Sequence, residues 1–438
     1  MPCQERRNPI NARHALVAVL CCCVGCATTS TVRIDQGQVP EHLQALERTV
    51  LEDSSNFKHL LAAQGALYED PTLQAYLDQL FQPLLPAVSS SLPYHFSLKV
   101  VRDPTLNAFT LGDGTVYVNT GLIARVKTSQ QFAFVVGHEL AHVMNRDLLY
   151  FTDSVHRKTV AAKLTGLVVT PALSAVGLGE LGDLGLGLAY AASVTGYGRE
   201  REDQADHDSL VLMRRLGYDE REAIRMFDTL LTEEERYQRG IEFGFLSSHP
   251  SNEHRLDAAK AFIGPKALET STPLIVDEPF LTATQRLRIE NAALNLQLDR
   301  YDHAMSDLQL MLRRSPHDVA AHCYVGDAYR LMAEDPKKLK AELNSKTWKD
   351  LYQGTEEPQQ RTWQDRARQE YERAMSLDPH FPDPYRGLGL LHQAQGKSAE
   401  ALSDFQRYLE LNPTAKDRRF VLSMMRRIQD AVASPQEK

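Results

Sequence analysis

With 438 residues, the chain is long enough for two or three folding units at roughly 100–200 residues per domain. Apolar residues make up 43% and charged residues 24% of it, which excludes an intrinsically disordered chain, a collagen-like fibre and a coiled-coil rod. The mean hydropathy of −0.36 argues against a polytopic membrane protein. A net charge of −8 and a pI near 6.0, without a dense Lys/Arg run, argue against nucleic acid as a partner.

The start of the chain has the pattern of an export signal. Three arginines precede an apolar run over residues 15–24, which is too short for the roughly 20 residues of a membrane-spanning helix. The run ends in the sequence CVGC, whose last residue is Cys26, and small residues before a cysteine resemble a bacterial lipobox. We therefore predict a lipoprotein signal peptide over residues 1–25, with lipidation of Cys26. The alternative is an ordinary signal peptide with incidental cysteines.

The residues after this signal predict how the chain is attached. Ala27 follows the cysteine, which in such lipoproteins favours the outer membrane. Residues 26–39 are rich in small polar side chains and are predicted to form a tether. Once the signal is removed, only Cys323 remains beside Cys26, so no internal disulfide is expected.

Residues 40–270 mix helix and strand signals and are predicted to form an α+β domain that is mainly α. Apolar residues recur at helical spacing, and short runs are rich in strand-forming residues. Glycines flank Asp113 between two of these runs, which indicates a hairpin turn, and Thr128 is a plausible N-cap. The predicted helices cover residues 40–65, 71–88 and 129–146, and the predicted strands cover 94–101, 107–111 and 115–118. The apolar, glycine-rich residues 160–197 indicate a buried helical pair or a flap, with a membrane span as the less favoured alternative.

The chain after about residue 283 is predicted to be all helical and to repeat. Pro316, Pro379 and Pro413 each close a similar unit, and the offsets match the tetratricopeptide pattern of 34 residues. Three stacked units are about the minimum that can bury its own apolar faces. We predict a tetratricopeptide repeat (TPR) solenoid over residues 283–435 that holds peptides or partner proteins; a generic helical bundle is the alternative. The residues that carry the pattern are Tyr385, Leu388, Gly389, Ala401 and Phe405 in the last unit, Ala304 and Leu308 in the first, and Val325, Gly326, Tyr329, Ala367, Tyr371 and Ala374 in the middle one.

The predicted helix over residues 129–146 carries the sequence HELAH. His138 and His142 are four residues apart, so they share one face of a helix and can bind one Zn²⁺. Glu139 between them can take a proton from a water that the zinc activates. The alternative, a helix with two surface histidines, is disfavoured by the apolar residues around the motif.

A third ligand is expected about 60 residues later, because a catalytic zinc has three protein ligands and one open position. Glu202 and Asp206 are four residues apart and share one helix face. Glu202 can bind zinc, and Asp206 can accept a hydrogen bond from a ligating histidine. Spacing alone leaves Glu200, Asp203 and His207 as rivals, and a solvated charged helix face as the alternative.

These motifs together resemble the family-48 zinc metallopeptidases, which are gluzincins. The likeness covers roughly residues 45–262 and includes HELAH, the later REREDQAD, the stretch NAFTLGDGTVYVNTGL and the stretch SSHPSNEHRL. With the lipobox and the repeats, it is greatest to the BepA/LoiP-like periplasmic proteases. The resemblance implies a gluzincin domain with a small sheet, one Zn²⁺ per chain held by His138, His142 and Glu202, and Asp206 beside a ligand.

The resemblance also assigns two downstream residues. It implies that His249 either stabilises the oxyanion of the reaction or occupies the open zinc position and keeps the enzyme latent. It implies that Arg255 binds substrate carbonyls or pairs with an acidic neighbour of a ligand. His207 and His254 are predicted to be surface residues.

The resulting prediction is a periplasmic zinc endopeptidase anchored to the outer membrane. It would cleave unfolded or misassembled envelope proteins, bound as an added strand along residues 107–119. Its repeats would recruit the substrate or dock on outer-membrane assembly machinery. One alternative is a periplasmic chaperone or assembly scaffold with a largely latent peptidase site. Another is a membrane-embedded prenyl-type protease.

Overall fold

The computed structural model describes residues 31–85, 92–164, 197–237, 252–265, 276–334 and 360–433. Cys26, His249 and most of the apolar residues 160–197 lie outside the described residues. Helices dominate the described chain and a single small sheet accompanies them, so the predicted class, mainly α with a small sheet, is confirmed. No helix in the described part of the chain is both long and apolar enough to cross a membrane.

Two helices begin the first domain, α1 over Glu41–Ala63 and α2 over Pro71–Phe81. Asp70 caps α2, since its carboxylate accepts hydrogen bonds from the backbone N–H groups of Thr72 and Leu73, both at 3.0 Å. The predicted extension of this helix is wrong over residues 82–85, and residues 86–88 lie outside the described chain. The helix ends at Phe81 and continues only as a 3₁₀ turn over Gln82–Leu84, because proline at position 83 has no N–H to donate.

Three short strands form a sheet in the order β1-β3-β2: β1 over Ser97–Val101, β2 over Ala108–Thr110 and β3 over Thr115–Asn119. β1 runs parallel to β3, and β2 is antiparallel to it. The predicted hairpin turn joins β2 to β3, with Gly112 and Gly114 at φ 95° and 99°. Leu67 bridges to Val101 on the outer side of β1, so β2 is the sheet edge without a strand beside it in the described chain.

Helices follow the sheet, and the second of them packs on β2 and β3 while the later ones pack around it. They are α3 over Thr120–Arg125, α4 over Ser129–Met144, α5 over Asp147–Leu164, α6 over Arg199–Arg215, α7 over Arg221–Tyr237 and α8 over Asn252–Ile263. The predicted N-cap of α4 is confirmed, since the Thr128 hydroxyl accepts from the N–H of Gln131 at 3.1 Å. From Gln131 to Met144, every residue of α4 is buried. This helix is therefore the centre of the domain.

The helices that follow connect the first domain to the repeats. α9 covers Glu278–Ala283 and α10 covers Gln285–Gln297. Phe280 is fully buried, with its ring centroid 6.0 Å from that of Phe132 on α4. Arg288 donates to the carbonyl oxygens of Ala124 and Val126, each at 2.5 Å. Since α10 also packs on the repeats through Ala292, the two units share this helix.

The remaining helices pack in consecutive pairs, as predicted for the end of the chain. They are α11 over Tyr301–Arg314, α12 over Val319–Glu334, α13 over Gln360–Leu377, α14 over Asp383–Ala394, α15 over Ser398–Leu411 and α16 over Arg418–Ala433. Small residues allow close approach between them. A Cβ atom at Gly387 would lie 2.4 Å from the ring of Tyr371, and one at Gly326 would lie 2.7 Å from the same ring. Tyr371 is fully buried and fills the space that the two glycines leave.

Candidate metal centre

The two histidines of the HELAH sequence lie side by side on α4. Both are buried, and their Nε2 atoms are 3.0 Å apart. The separation of four residues places them on one helix face, as the sequence predicts.

Helix α6 brings Glu202 to the same point. Its carboxylate oxygens lie 3.4 Å from His138 Nε2 and 3.6 Å from His142 Nε2. The three side chains form a fully buried group whose ligand atoms all lie within 4.8 Å of one another. Two imidazole nitrogens and one carboxylate are the donor set of a catalytic zinc site with an open position. The residues present therefore fit a divalent metal.

A close helix crossing makes this arrangement possible. A Cβ atom at Gly137 would lie 2.7 Å from the hydroxyl oxygen of Ser209 on α6. That hydroxyl donates to the carbonyl of Phe134 at 2.7 Å. Glycine next to His138 thus allows α4 and α6 to approach closely enough for Glu202 to reach both histidines.

Each histidine is oriented by its own carboxylate, in addition to Glu202. His138 Nδ1 lies 2.9 Å from Asp206 Oδ1, and His142 Nδ1 lies 2.8 Å from Asp147 Oδ2. An ionised carboxylate accepts the Nδ1 proton, so the Nε2 lone pairs are left for the metal. Sequence reasoning predicted Asp206 for this position but missed Asp147. The available signal was an aspartate just beyond the end of the predicted helix.

Arg255 completes a buried charge pair behind the site. Its guanidinium is 1% exposed and donates two hydrogen bonds to the Asp206 carboxylate, at 2.7 and 2.6 Å. Burial alone would raise the pKa of Asp206, but Arg255 and His138 lower it to about 2. Burial alone would lower the pKa of His138, but its bonds to Asp206 and Glu202 raise it to about 9. Of the two predicted roles for Arg255, the structure shows the pairing with an acidic residue.

Glu139 lies on the same helix between the two histidines and is 1% exposed. Burial raises its pKa to about 7. A carboxyl group with this pKa can both accept and release a proton near neutral pH, which is what a general base requires.

Tyr197 is a further neighbour that sequence reasoning missed. Its ring centroid lies 4.6 Å from that of His142 and 6.2 Å from that of Phe151. Burial raises its pKa well above the usual value. The aromatic ring covers one side of His142, two residues before the start of α6.

The rival residues lie away from this point. Glu200 and His207 are exposed, and Asp203 pairs with His254 on the surface, with 3.3 Å between His254 Nε2 and a carboxylate oxygen. His249 lies outside the described residues, so both roles predicted for it remain predictions. Among the described residues, the group of His138, His142 and Glu202 is the one cluster suited to hold a metal ion.

Comparison with known proteins agrees with this geometry. The model of "Peptidase family M48" matches residues 71–263, and a tetratricopeptide repeat model matches residues 359–426. The first match spans the whole candidate centre. The second covers the last helix pairs and confirms repeats at this end of the chain.

Individual relatives are similar to this chain over about 200 residues each. A Vibrio cholerae protein named as a beta-barrel assembly-enhancing protease is 29% identical over 205 residues, 46% of this chain and 41% of its own length. The mitochondrial metalloendopeptidase OMA1 of Schizosaccharomyces pombe is 29% identical over 214 residues, 48% of this chain and 59% of its own length. The beta-barrel assembly-enhancing protease of Escherichia coli is 26% identical over 204 residues, 46% of this chain and 41% of its own length. The chain thus spans about half the length of the curated relatives it matches. Residues 71–263 are thus similar to peptidase family M48, and residues 359–426 to tetratricopeptide repeats, while the relatives it matches are named as proteases or metalloendopeptidases.

Proposed function

We propose that the protein is a zinc-dependent endopeptidase of the cell envelope that cleaves unfolded or misassembled proteins. The buried group of His138, His142 and Glu202 carries this proposal, since each histidine has a carboxylate on the nitrogen that faces away from the group. This arrangement is typical of catalytic zinc rather than of an incidental ion pair.

Each residue of the centre then has a chemical role. His138, His142 and Glu202 hold the metal, while Asp206 and Asp147 fix the imidazole orientations. A zinc ion bound there supplies a Lewis acid that polarises the scissile carbonyl and activates water. Glu139 would accept the proton of the attacking water and pass it to the leaving amine, because it lies on the same helix between the two proposed histidine ligands. His249 either donates a hydrogen bond to the substrate oxygen or blocks the open position in a latent state.

The location is proposed from the start of the chain and from the names of the relatives. The lipobox-like sequence that ends at Cys26 supports a lipid anchor in the outer membrane. Two of the relatives are named for enhancing beta-barrel assembly, which supports substrates among outer-membrane proteins.

The mode of substrate binding is proposed from the sheet. β2 is the sheet edge without a strand beside it in the described chain, although its three residues are at most 6% exposed. An extended peptide could add to this edge through backbone hydrogen bonds once the groups that cover it move aside. The predicted peptide-binding segment, residues 107–119, includes β3, which is paired on both sides and has no free edge. The proposed binding strand is therefore β2 alone, Ala108–Thr110. The repeats would recruit the substrate or dock on assembly machinery.

Turnover of unfolded protein tests the activity. Purified protein is incubated with casein and with unfolded porin, and wild type is compared with Glu139→Gln. We expect a loss of at least about 100-fold in the variant, the scale of a removed general base, with zinc still bound. His254→Ala is the matched control, because this histidine is exposed and outside the centre. Equal cleavage by wild type and Glu139→Gln would instead support a scaffold with a largely latent site.

Metal analysis tests the ligands separately. We expect one zinc per wild-type chain and its loss in His138→Ala and Glu202→Ala. A full zinc equivalent in purified Glu202→Ala would contradict the proposed third ligand.

A further inference from the structure

The first described residues form a segment that packs on the C-terminal end of α4, the helix that carries both histidines. We name residues 32–37 the N-terminal strap. It contains a single 3₁₀ turn over Ile34–Gln36. Ile34 is fully buried against Val143 and Met144 at the end of α4. The strap therefore packs on the last turn of the helix that carries both histidines.

The strap also fixes the bend that follows α4. Arg146 has a φ of 54°, a backbone conformation that is unfavourable for a residue with a side chain. Its guanidinium donates to the carbonyl oxygens of Val32 and Gly37, both at 2.8 Å. The next residue, Asp147, carries the carboxylate that orients His142. The bend that aims this carboxylate is thus held by carbonyl groups of the strap, together with Glu47 and Tyr94, which also accept from the Arg146 guanidinium.

Arg33 connects the two helices that carry the ligands. Its Nη1 lies 2.7 Å from Asn145 Oδ1, just after α4, and 2.8 Å from Asp208 Oδ2 on α6. Asp208 follows Asp206 by two residues. The two contacts join the chain beyond His142 to the helix that supplies Glu202, on the side of α4 where the strap lies.

The three proposed metal ligands require a fixed relative position of helices α4 and α6. His138 and His142 come from α4 and Glu202 from α6, and a metal site tolerates only a few tenths of an ångström of error in its ligand distances. The Gly137–Ser209 crossing sets the approach of the two helices. Arg33 adds a contact between the chain just after α4 and Asp208, the residue before Ser209 on α6.

We propose that the strap is a positioning element of the metal centre and that Arg33 is its positioning residue. The inference rests on the proposed function only in taking this group as the metal site. It gives the segment next to the predicted lipid anchor a part in the geometry of the site.

Cobalt substitution tests the proposal in the full chain. Cobalt replaces zinc, and its visible absorption reports the ligand geometry directly. In Arg33→Gln we expect an altered cobalt spectrum and about tenfold faster metal transfer to a chelator, the lower end of the effect of outer contacts on metal affinity. We expect kcat to fall more than KM rises, because the change affects the reacting site and leaves the substrate edge intact.

Three further variants make the result specific. Asp208→Asn removes the charge that pairs with Arg33. The double variant with Arg33→Gln is expected to transfer metal no faster than the faster of the two single variants. Arg33→Lys is expected to restore part of the wild-type behaviour, since an ammonium group reaches one partner. Arg214→Gln is the matched control: Arg214 lies on the same helix as Asp208 but pairs with Glu220 and packs over Phe262 instead of the strap, and the variant is expected to match wild type.

The outcomes separate this proposal from the proposed function. A wild-type spectrum and a wild-type transfer rate in Arg33→Gln would overturn the positioning role. Wild type that binds cobalt but never cleaves casein, with a changed spectrum in Arg33→Gln, would overturn the proposed activity and support the strap. Wild type that binds no cobalt would overturn both.

Discussion

Replacing Asp206 by asparagine separates two effects of one carboxylate. The change keeps the shape of the side chain but removes its charge. The buried guanidinium of Arg255 then has a neutral partner, and its next carboxylate oxygen, on Glu202, is 3.9 Å away. His138 loses the acceptor that fixes its tautomer. We expect lower stability of the metal-free protein and, independently, weaker zinc binding.

The stability effect can be estimated from the contacts. Removing one partner of a buried ion pair costs about 3–5 kcal/mol, and the amide recovers part of this by hydrogen bonding. We therefore expect a loss of about 2–4 kcal/mol. The lowering of the Asp206 pKa by Arg255 and His138 points in the same direction, since it shows that the folded protein favours the ionised carboxylate. For a domain of roughly 200 residues, the Tm should fall by about 5–15 °C.

Two assays measure the effects, calorimetry of the metal-free protein and competition for zinc with a coloured chelator. Zinc affinity should fall by about 10–100-fold, as for other outer partners of a metal ligand. Adding Arg255→Met to Asp206→Asn removes the isolated cation, so it should restore much of the Tm and none of the zinc affinity.

Asp203→Asn is the matched control. It makes the same chemical change on the same helix, but its carboxylate is half-exposed and pairs with an exposed histidine. If Asp206→Asn has a Tm within about 2 °C of this control and unchanged zinc affinity, the reasoning from burial is wrong.

Other parts of the molecule give three further predictions. Gly137→Ala should weaken zinc binding by pushing α4 away from α6, and adding Ser209→Ala should restore part of it, which chelator competition measures. Gly387→Ala should lower the Tm of the repeats, since its Cβ would lie 2.4 Å from a buried tyrosine ring; an unchanged Tm would contradict the packing. Burial alone would lower the pKa of His303, but its bonds to two carboxylates raise it to about 9. Protonated His303 therefore stabilises the folded protein by up to about 3 kcal/mol. This stabilisation is complete below pH 6.5 and is lost as the pH rises through about 9. His303→Gln should flatten the fall in Tm over that range, and an unchanged fall would argue against the pair.

Local patterns predicted the parts of the site that lie on one element. His138 and His142 share a helix, so their spacing alone places them on one face, and the hairpin before them has its own turn residues. Glu202 is 60 residues further along, and spacing left several rivals that only a family resemblance could exclude. The structure excludes them by burial, since Glu202 is fully buried while Glu200 is exposed.

The contacts that the sequence did not reveal depend on unusual backbone or on distant residues. Asp147 follows Arg146, whose left-handed conformation redirects the chain, and no periodic pattern signals such a bend. Arg33 and Asp208 are 175 residues apart, and an isolated arginine in a polar segment carries no local sign of its partner. Helix α2 was predicted too long because apolar spacing continued past a proline.

The contacts of Phe280 bear on where the chain can be cut to separate the peptidase domain from the repeats. The change in composition near residues 270–283 suggests a cut there, between peptidase and repeats. A fragment ending at residue 270 would lose Phe280 from its contact with Phe132, and with it Asp277, whose carboxylate accepts from Ser129 at the first turn of α4. Arg125 and Glu233 of the first domain also pair with Asp307 and His303 on α11, so the smallest self-sufficient peptidase extends through that helix to about Arg314. Exchange of the repeats for those of a relative should be made beyond that point.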